Sequence, residues 1–342
     1  MTAVPSDVPD LPPPADVHVV ALPLRTRFRG LTVRETLLVR GPSAWGEFAA
    51  FAEYPDDEAV RWLAACYEAA YGSWPAARVP AVPVNATVPA VPADDVPSVL
   101  ARFPGCTTAK VKVAERGQSL ADDLARVAAV REALGPGGAI RVDANAGWDE
   151  AQAVDALRAL AGAGLEYAEQ PVAGVDGLAR LRVALARAGV DVPVAADEVV
   201  RRASDPLAVA RAGAADVVVV KAAPLGGVAA LVALATELRE SYGVLVTVSS
   251  ALESSVGLAA GVAAAAVLDA GRAEGLATAA LLAGDVTASP LLPSGGRVPV
   301  RRVAPDPALL GRWEAPPERQ AWWRERLTRV HGLLAARGGS AA

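Results

Sequence analysis

Two hydrophobic patterns divide this chain near residue 80. Before that point, residues 17–23 and 32–40 read as strands, with Gly41-Pro42-Ser43 as a turn into a further strand at 44–51. Residues 57–71 then place Val60, Leu63, Ala64 and Tyr67 on one face of a helix. Prolines at 80, 83, 89, 92 and 97 mark a boundary. Beyond it, strand-like segments at 108–114, 140–145, 165–169, 192–197, 216–221 and 244–249 alternate with helical ones at 118–134, 149–161, 177–187, 206–212 and 228–242. Gly135, Gly162, Gly189, Gly213 and Gly243 follow those helices as expected left-handed caps. Strict alternation implies parallel strands joined by right-handed crossovers. An open doubly wound sheet competes, but there is no glycine-rich phosphate loop after the first strand. Six similar units favour a closed (β/α)8 barrel.

The ends of these strands break the apolar pattern. Lys110 and Lys112 stand two apart and project to one face of a strand. Asp143 and Asn145 repeat that spacing on the next strand, and Glu169, Asp197-Glu198, Lys221 and Ser249-Ser250 end the following ones. From Lys112 through Asp143, Glu169, Asp197, Lys221 and Ser249 the separations are 31, 26, 28, 24 and 28 residues, one β/α unit each. All six therefore reach the C-terminal mouth of the barrel, where such folds carry their chemistry. Singly, each has a plainer role: an Asp as helix N-cap, a Lys as solvated tip, Glu169 as a turn residue, the serines as backbone-bonded turn residues. Convergence of five consecutive units favours a site.

Composition narrows the chemistry. Just over half the chain is apolar, yet no apolar run reaches the ~18 residues of a membrane span. No basic-then-apolar leader is present, so the cytoplasm is the expected location. The net charge of −5 has no basic stripe, which argues against nucleic acid as a partner. Cys66 and Cys106 form no metal or redox motif, and the two histidines, His18 and His331, lie near the chain ends. Three clustered carboxylates would raise one another's pKa unless a cation relieved them. An all-oxygen donor set selects Mg2+, with Mn2+ as the alternative, over zinc. Lysines near that metal and partly desolvated are expected to be depressed below their usual ~10.4, within reach of general-base work. The residues alone support metal-assisted proton abstraction from a small-molecule carboxylate.

At this point the sequence resembles the enolase superfamily, specifically its muconate-lactonising branch. Lys110-Val-Lys112 is similar to that branch's KxK motif, and residues 34–40 with Trp45-Gly46-Glu47-Phe48 are similar to its capping domain. The resemblance implies a capping domain at 1–80, a barrel with the active site at 81–304, and a C-terminal tail at 305–342 packing on the capping domain through Trp313, Trp322 and Trp323. It implies metal ligands at Asp143, Glu169 and Asp197, and catalytic Lys112, Lys221 and Lys110. Lys112 would take and return the proton, Lys221 would stabilise the anion from the opposite face, and Lys110 would hold a carboxylate oxygen. Branches that use a barrel-strand histidine as base are excluded. Asn145 and Glu198 are candidates to support this set, and Ser249 and Ser250 to bind a second substrate carboxylate.

Residues 44–48, 82–89, 143–148 and 249–257 narrow the resemblance to members that dehydrate a hydroxycyclohexadiene carboxylate to an aromatic acid. Racemisation of an N-acylamino acid or epimerisation of a dipeptide needs the same metal and lysines, and stays open. A barrel that binds without catalysis is the reading from another class.

Overall fold

The computed structural model describes residues 8–201 and 205–339. Strands β1 (Val17–Phe28), β2 (Leu31–Arg40) and β3 (Trp45–Phe48) form an antiparallel sheet. Alternation along β1 gives it two partners: Val17 and Val19 enter one core, Val20 and Leu22 another. The first core is closed by helix Asp56–Tyr71 and the C-terminal helix Pro317–Gly339, through Trp62, Leu63, Trp323, Leu327 and Val330. Trp323 meets Phe48 edge-on at 5.7 Å and donates to Glu35 Oε2 at 3.0 Å. Trp313 touches both units: its carbonyl accepts the Ala21 N–H of β1 at 2.8 Å, and its ring fills the space a Cβ at Gly284 would occupy.

Strand β4 (Ala81–Pro83) pairs with β12 (Arg297–Pro299). Between them lie β5 (Ala86–Val88), β6 (Thr108–Lys112), β7 (Ala139–Asp143), β8 (Leu165–Glu169), β9 (Val194–Ala196), β10 (Val217–Lys221) and β11 (Leu245–Ser249). These seven run parallel in sequence order. The eighth position is reduced to two bridges, Ser249 with Gly275 and Val84 with Glu274, which close β11 onto the start of the barrel. Helices cover the outside, so a strand such as β10 can be apolar from Val217 to Val220.

Two expectations shift in detail. β1 continues past Pro23 to Phe28 by way of a register shift, so it reaches over the barrel mouth. Helix Glu150–Leu160 runs into a single 3-10 turn, and its left-handed cap is Gly164, not Gly162. Among the described residues, no helix is long and apolar enough to cross a membrane.

Candidate active site

Pairing register brings the strand-end groups level. Lys112 lies opposite Asp143, Asp143 opposite Glu169, and Lys221 opposite Ser249. Asp197 follows β9 directly. Period-two alternation sets Lys110, Arg141 and Tyr167 one layer deeper inside the barrel. There Arg141 lies 4.9 Å over the Tyr167 ring and donates to Glu166 at 2.7 Å.

Cation and anion alternate around the mouth. Lys110 Nζ donates to both oxygens of Glu169, at 2.9 and 2.8 Å, and lies 3.2 Å from Asp143 Oδ2. Lys112 Nζ donates to Asp143 Oδ2 at 2.5 Å and to Asn145 Oδ1, and Lys221 Nζ to Asp197 Oδ2 at 2.5 Å. All three lysines and all three carboxylates are buried. Burial opposes the charge on Asp143, yet Lys112 and Lys110 hold it below the usual carboxylate range. Burial, with Asp143 and Asp197 nearby, pushes Glu169 up to about 7.

The lysines do not behave alike. Burial lowers Lys221, as expected. Lys110 is equally desolvated, but Glu169 and Asp143 outweigh the burial and hold it well above lysine's ordinary value. The expected lowering therefore fails for Lys110, because two carboxylates lie within 3.2 Å of its ammonium.

Among the described residues, no three acidic, His or Cys side chains stand in coordinating geometry. The carboxylates expected from the sequence to hold a metal are turned onto lysines. Their chemistry still suits a hard cation: the donors are all oxygen, and buried Asp197 Oδ1 accepts no hydrogen bond from the described residues. Arg201 Nε lies 3.4 Å from that oxygen.

Asn145 donates to Glu198 Oε1 at 3.1 Å, which places both residues beside Lys112. Ser249 and Ser250 line the mouth, with their hydroxyls on the Gly275 carbonyl at 3.4 and 3.1 Å and Ser250 also on Thr278 at 2.7 Å. Both the plain and the functional roles of these serines are thus open to them. Phe28 and Arg29, from the β1–β2 turn, roof the cavity, and the Phe28 ring lies 5.2 Å from Lys112 Nζ. Sequence reasoning missed these two because it ended β1 at Pro23; the Arg29-Gly30 turn was the available signal. It missed Arg201 as well, although Arg201 follows Asp197 by four residues, one helical turn.

Non-glycine residues with positive φ gather here. Arg29, Ala114, Asn145, Ala146, Gln170 and Leu252 lie at the mouth or just past the strand ends that form it. Backbone strain of this kind concentrates where the surrounding structure imposes a site.

A family model described as enolase C-terminal domain-like matches residues 98–306, and one described as enolase N-terminal domain-like matches residues 19–70. The o-succinylbenzoate synthase of Mycolicibacterium smegmatis is 54% identical, covering 93% of this chain and 96% of its own. That of Mycobacterium marinum is 53% identical, covering 98% of each. Among solved structures, muconate lactonizing enzyme from Pseudomonas fluorescens superposes with a TM-score of 0.73 at 22% identity, covering 88% of this chain and 98% of that one.

Proposed function

We propose, because this chain belongs to the enolase superfamily, that it is a carbon–oxygen lyase with o-succinylbenzoate synthase activity. It dehydrates 2-succinyl-6-hydroxy-2,4-cyclohexadiene-1-carboxylate to o-succinylbenzoate in menaquinone biosynthesis. The observation that carries this reading is near-full-length identity of 54% and 53% with two such synthases.

Enzymes of the superfamily use a divalent metal, and the all-oxygen set of Asp143, Glu169 and Asp197 favours Mg2+ here. When bound, the ion supplies positive charge at the substrate carboxylate, where negative charge builds as the α-proton leaves. Lys112 takes that proton at Nζ. The electron pair left on carbon forms the new ring double bond as the C–O bond breaks, and Lys112 returns the proton to the departing hydroxyl as water. Both transfers use one face of the ring, a syn elimination. Lys221 approaches from across the barrel, since β7, β8 and β9 separate β6 from β10. Its ammonium stabilises the anion from the other face, while Lys110 holds a carboxylate oxygen. Aromatisation drives the reaction, so catalysis chiefly lowers one proton-transfer barrier.

The test is loss of cyclohexadiene absorbance on mixing protein, Mg2+ and substrate, with a chelator control. Rapid metal-dependent conversion, absent in Lys112→Ala, is expected. No conversion by folded, metal-loaded protein would sink the synthase assignment.

One observation favours a second activity. Lys221 stands across the barrel from Lys112 and burial lowers its pKa, the placement of a second lysine that racemisation of an N-acylamino acid or epimerisation of a dipeptide requires. Exchange of the α-proton with solvent deuterium from both antipodes of an N-succinylamino acid would reveal it; no exchange would exclude it for that substrate.

A further inference from the structure

The helical turn Glu198–Arg201 follows directly on Asp197. Arg201 is buried there, with Nη2 donating to Glu198 Oε1 at 2.7 Å and Nη1 donating to the Tyr54 hydroxyl. Glu198 Oε1 also accepts from Asn145 Nδ2 at 3.1 Å, and Asn145 Oδ1 accepts from Lys112 Nζ. A contiguous run of polar contacts therefore leads from Tyr54, in the N-terminal core, to Lys112 inside the barrel. Its outer end is anchored. Arg326 of the C-terminal helix donates to the Tyr54 carbonyl at 2.6 Å and the Phe51 carbonyl at 3.0 Å. The Tyr54 ring meets Phe51 and Trp62 at 5.4 and 6.2 Å.

Charge fixes the polarity of the run. The Asn145 amide offers its oxygen to an ammonium and its NH2 to a carboxylate. Turned over, it would set donor against ammonium and oxygen against carboxylate. That orientation holds only while Glu198 keeps its place. Among the described residues Glu198 Oε2 has no hydrogen-bond partner, so Oε1 carries the attachment, and the charge-assisted contact from Arg201 ties it down.

We propose that Tyr54 and Arg201 are positioning residues for Lys112. They transmit the seating of the N-terminal lobe on the barrel, through Glu198 and Asn145, to the Nζ that moves the proton. Neither touches substrate. The inference rests on Lys112 being the base of the dehydration proposed above.

Tyr54→Phe deletes one hydroxyl and little else. Its kcat is expected to fall about tenfold, because small displacements of a reacting group are costly. KM and Mg2+ affinity by calorimetry should stay near the parent values, while Tm falls modestly because a buried Arg201 N–H loses its acceptor. Arg201→Lys, which keeps the charge but loses the fork, should lose more kcat than Tyr54→Phe. The double variant Tyr54→Phe/Glu198→Gln should be no slower than Glu198→Gln alone, because both break one run. Full kcat in Tyr54→Phe, or strictly additive losses in the double variant, would overturn the proposal. A crystal structure of Tyr54→Phe decides it independently of substrate: displaced Glu198 and Asn145 side chains support it, and unmoved ones overturn it. Failure of the wild-type protein to convert the cyclohexadiene would sink the dehydratase reading and leave that comparison decisive here.

Discussion

Glu47 of β3 reaches across to the barrel and accepts the backbone N–H of Gly257 at 2.8 Å. The same carboxylate accepts from Ser254 N at 3.0 Å and from the Ser254 hydroxyl. It thereby occupies the N-terminus of helix Ser255–Leu268, where free N–H groups and the helix dipole favour an anion. Two segments about two hundred residues apart in sequence are thus one structural unit.

Glu47→Ala should accordingly strip partners from the buried Ser254 N–H and hydroxyl and from the half-buried Gly257 N–H, and cost roughly 2–4 kcal/mol of stability. Glu47→Gln should lose less, because the amide oxygen still accepts. Denaturant unfolding checks this, and equal losses in the two variants would show that bulk, and not the acceptor, matters.

At the proposed base, Lys112 Nζ stands 2.5 Å from Asp143 Oδ2, so the ammonium would compete with a divalent ion for that oxygen. Lys112→Ala should lower kcat by at least about a hundredfold. Calorimetry should show Mg2+ binding retained or tightened, since a like charge has been removed. Loss of Mg2+ binding together with activity would mean that Lys112 holds the site together and is more than its base.

These relationships were legible in unequal measure. The metal-ligand candidates and the lysines could be read because a strand has period two and a β/α unit a narrow range of lengths. Mutual register then follows with no further information. The eighth strand was not legible, because Glu274 and Gly275 make only two bridges and leave no periodic trace. Arg201 stayed hidden in a turn of four residues, too short for a helical signal. The raised Lys110 depended on two carboxylate distances that no spacing encodes.

Among the described residues lining the mouth, Arg29 is a cation with no ion pair to a site carboxylate; its guanidinium lies 4.8 Å over Phe51. The proposed substrate has two carboxylates, and the proposed metal site at Asp143, Glu169 and Asp197 would take one. Arg29→Ala should therefore raise KM about tenfold with little change in kcat, the pattern of a lost uniform-binding contact. A fall in kcat at constant KM would place Arg29 in the chemical step instead.

Glu274 sits at the barrel seam, where its Oε2 accepts the Val248 N–H at 2.6 Å. Burial pushes its pKa from 4.5 to about 8, against the pull of that N–H, Arg141 and Arg272 and with a push from Glu166. The folded state thus holds this proton more tightly than the unfolded chain does. Its contribution to stability is full below about 4.5 and is lost as pH rises through about 8. Glu274→Gln keeps an acceptor for Val248 and carries no charge, so its Tm should decline less than the parent's between about pH 5 and about pH 9. At the alkaline end the variant should match or exceed the parent. Parallel Tm curves across that range would show that some other group, such as Glu169 with its pKa raised to about 7, governs the pH dependence.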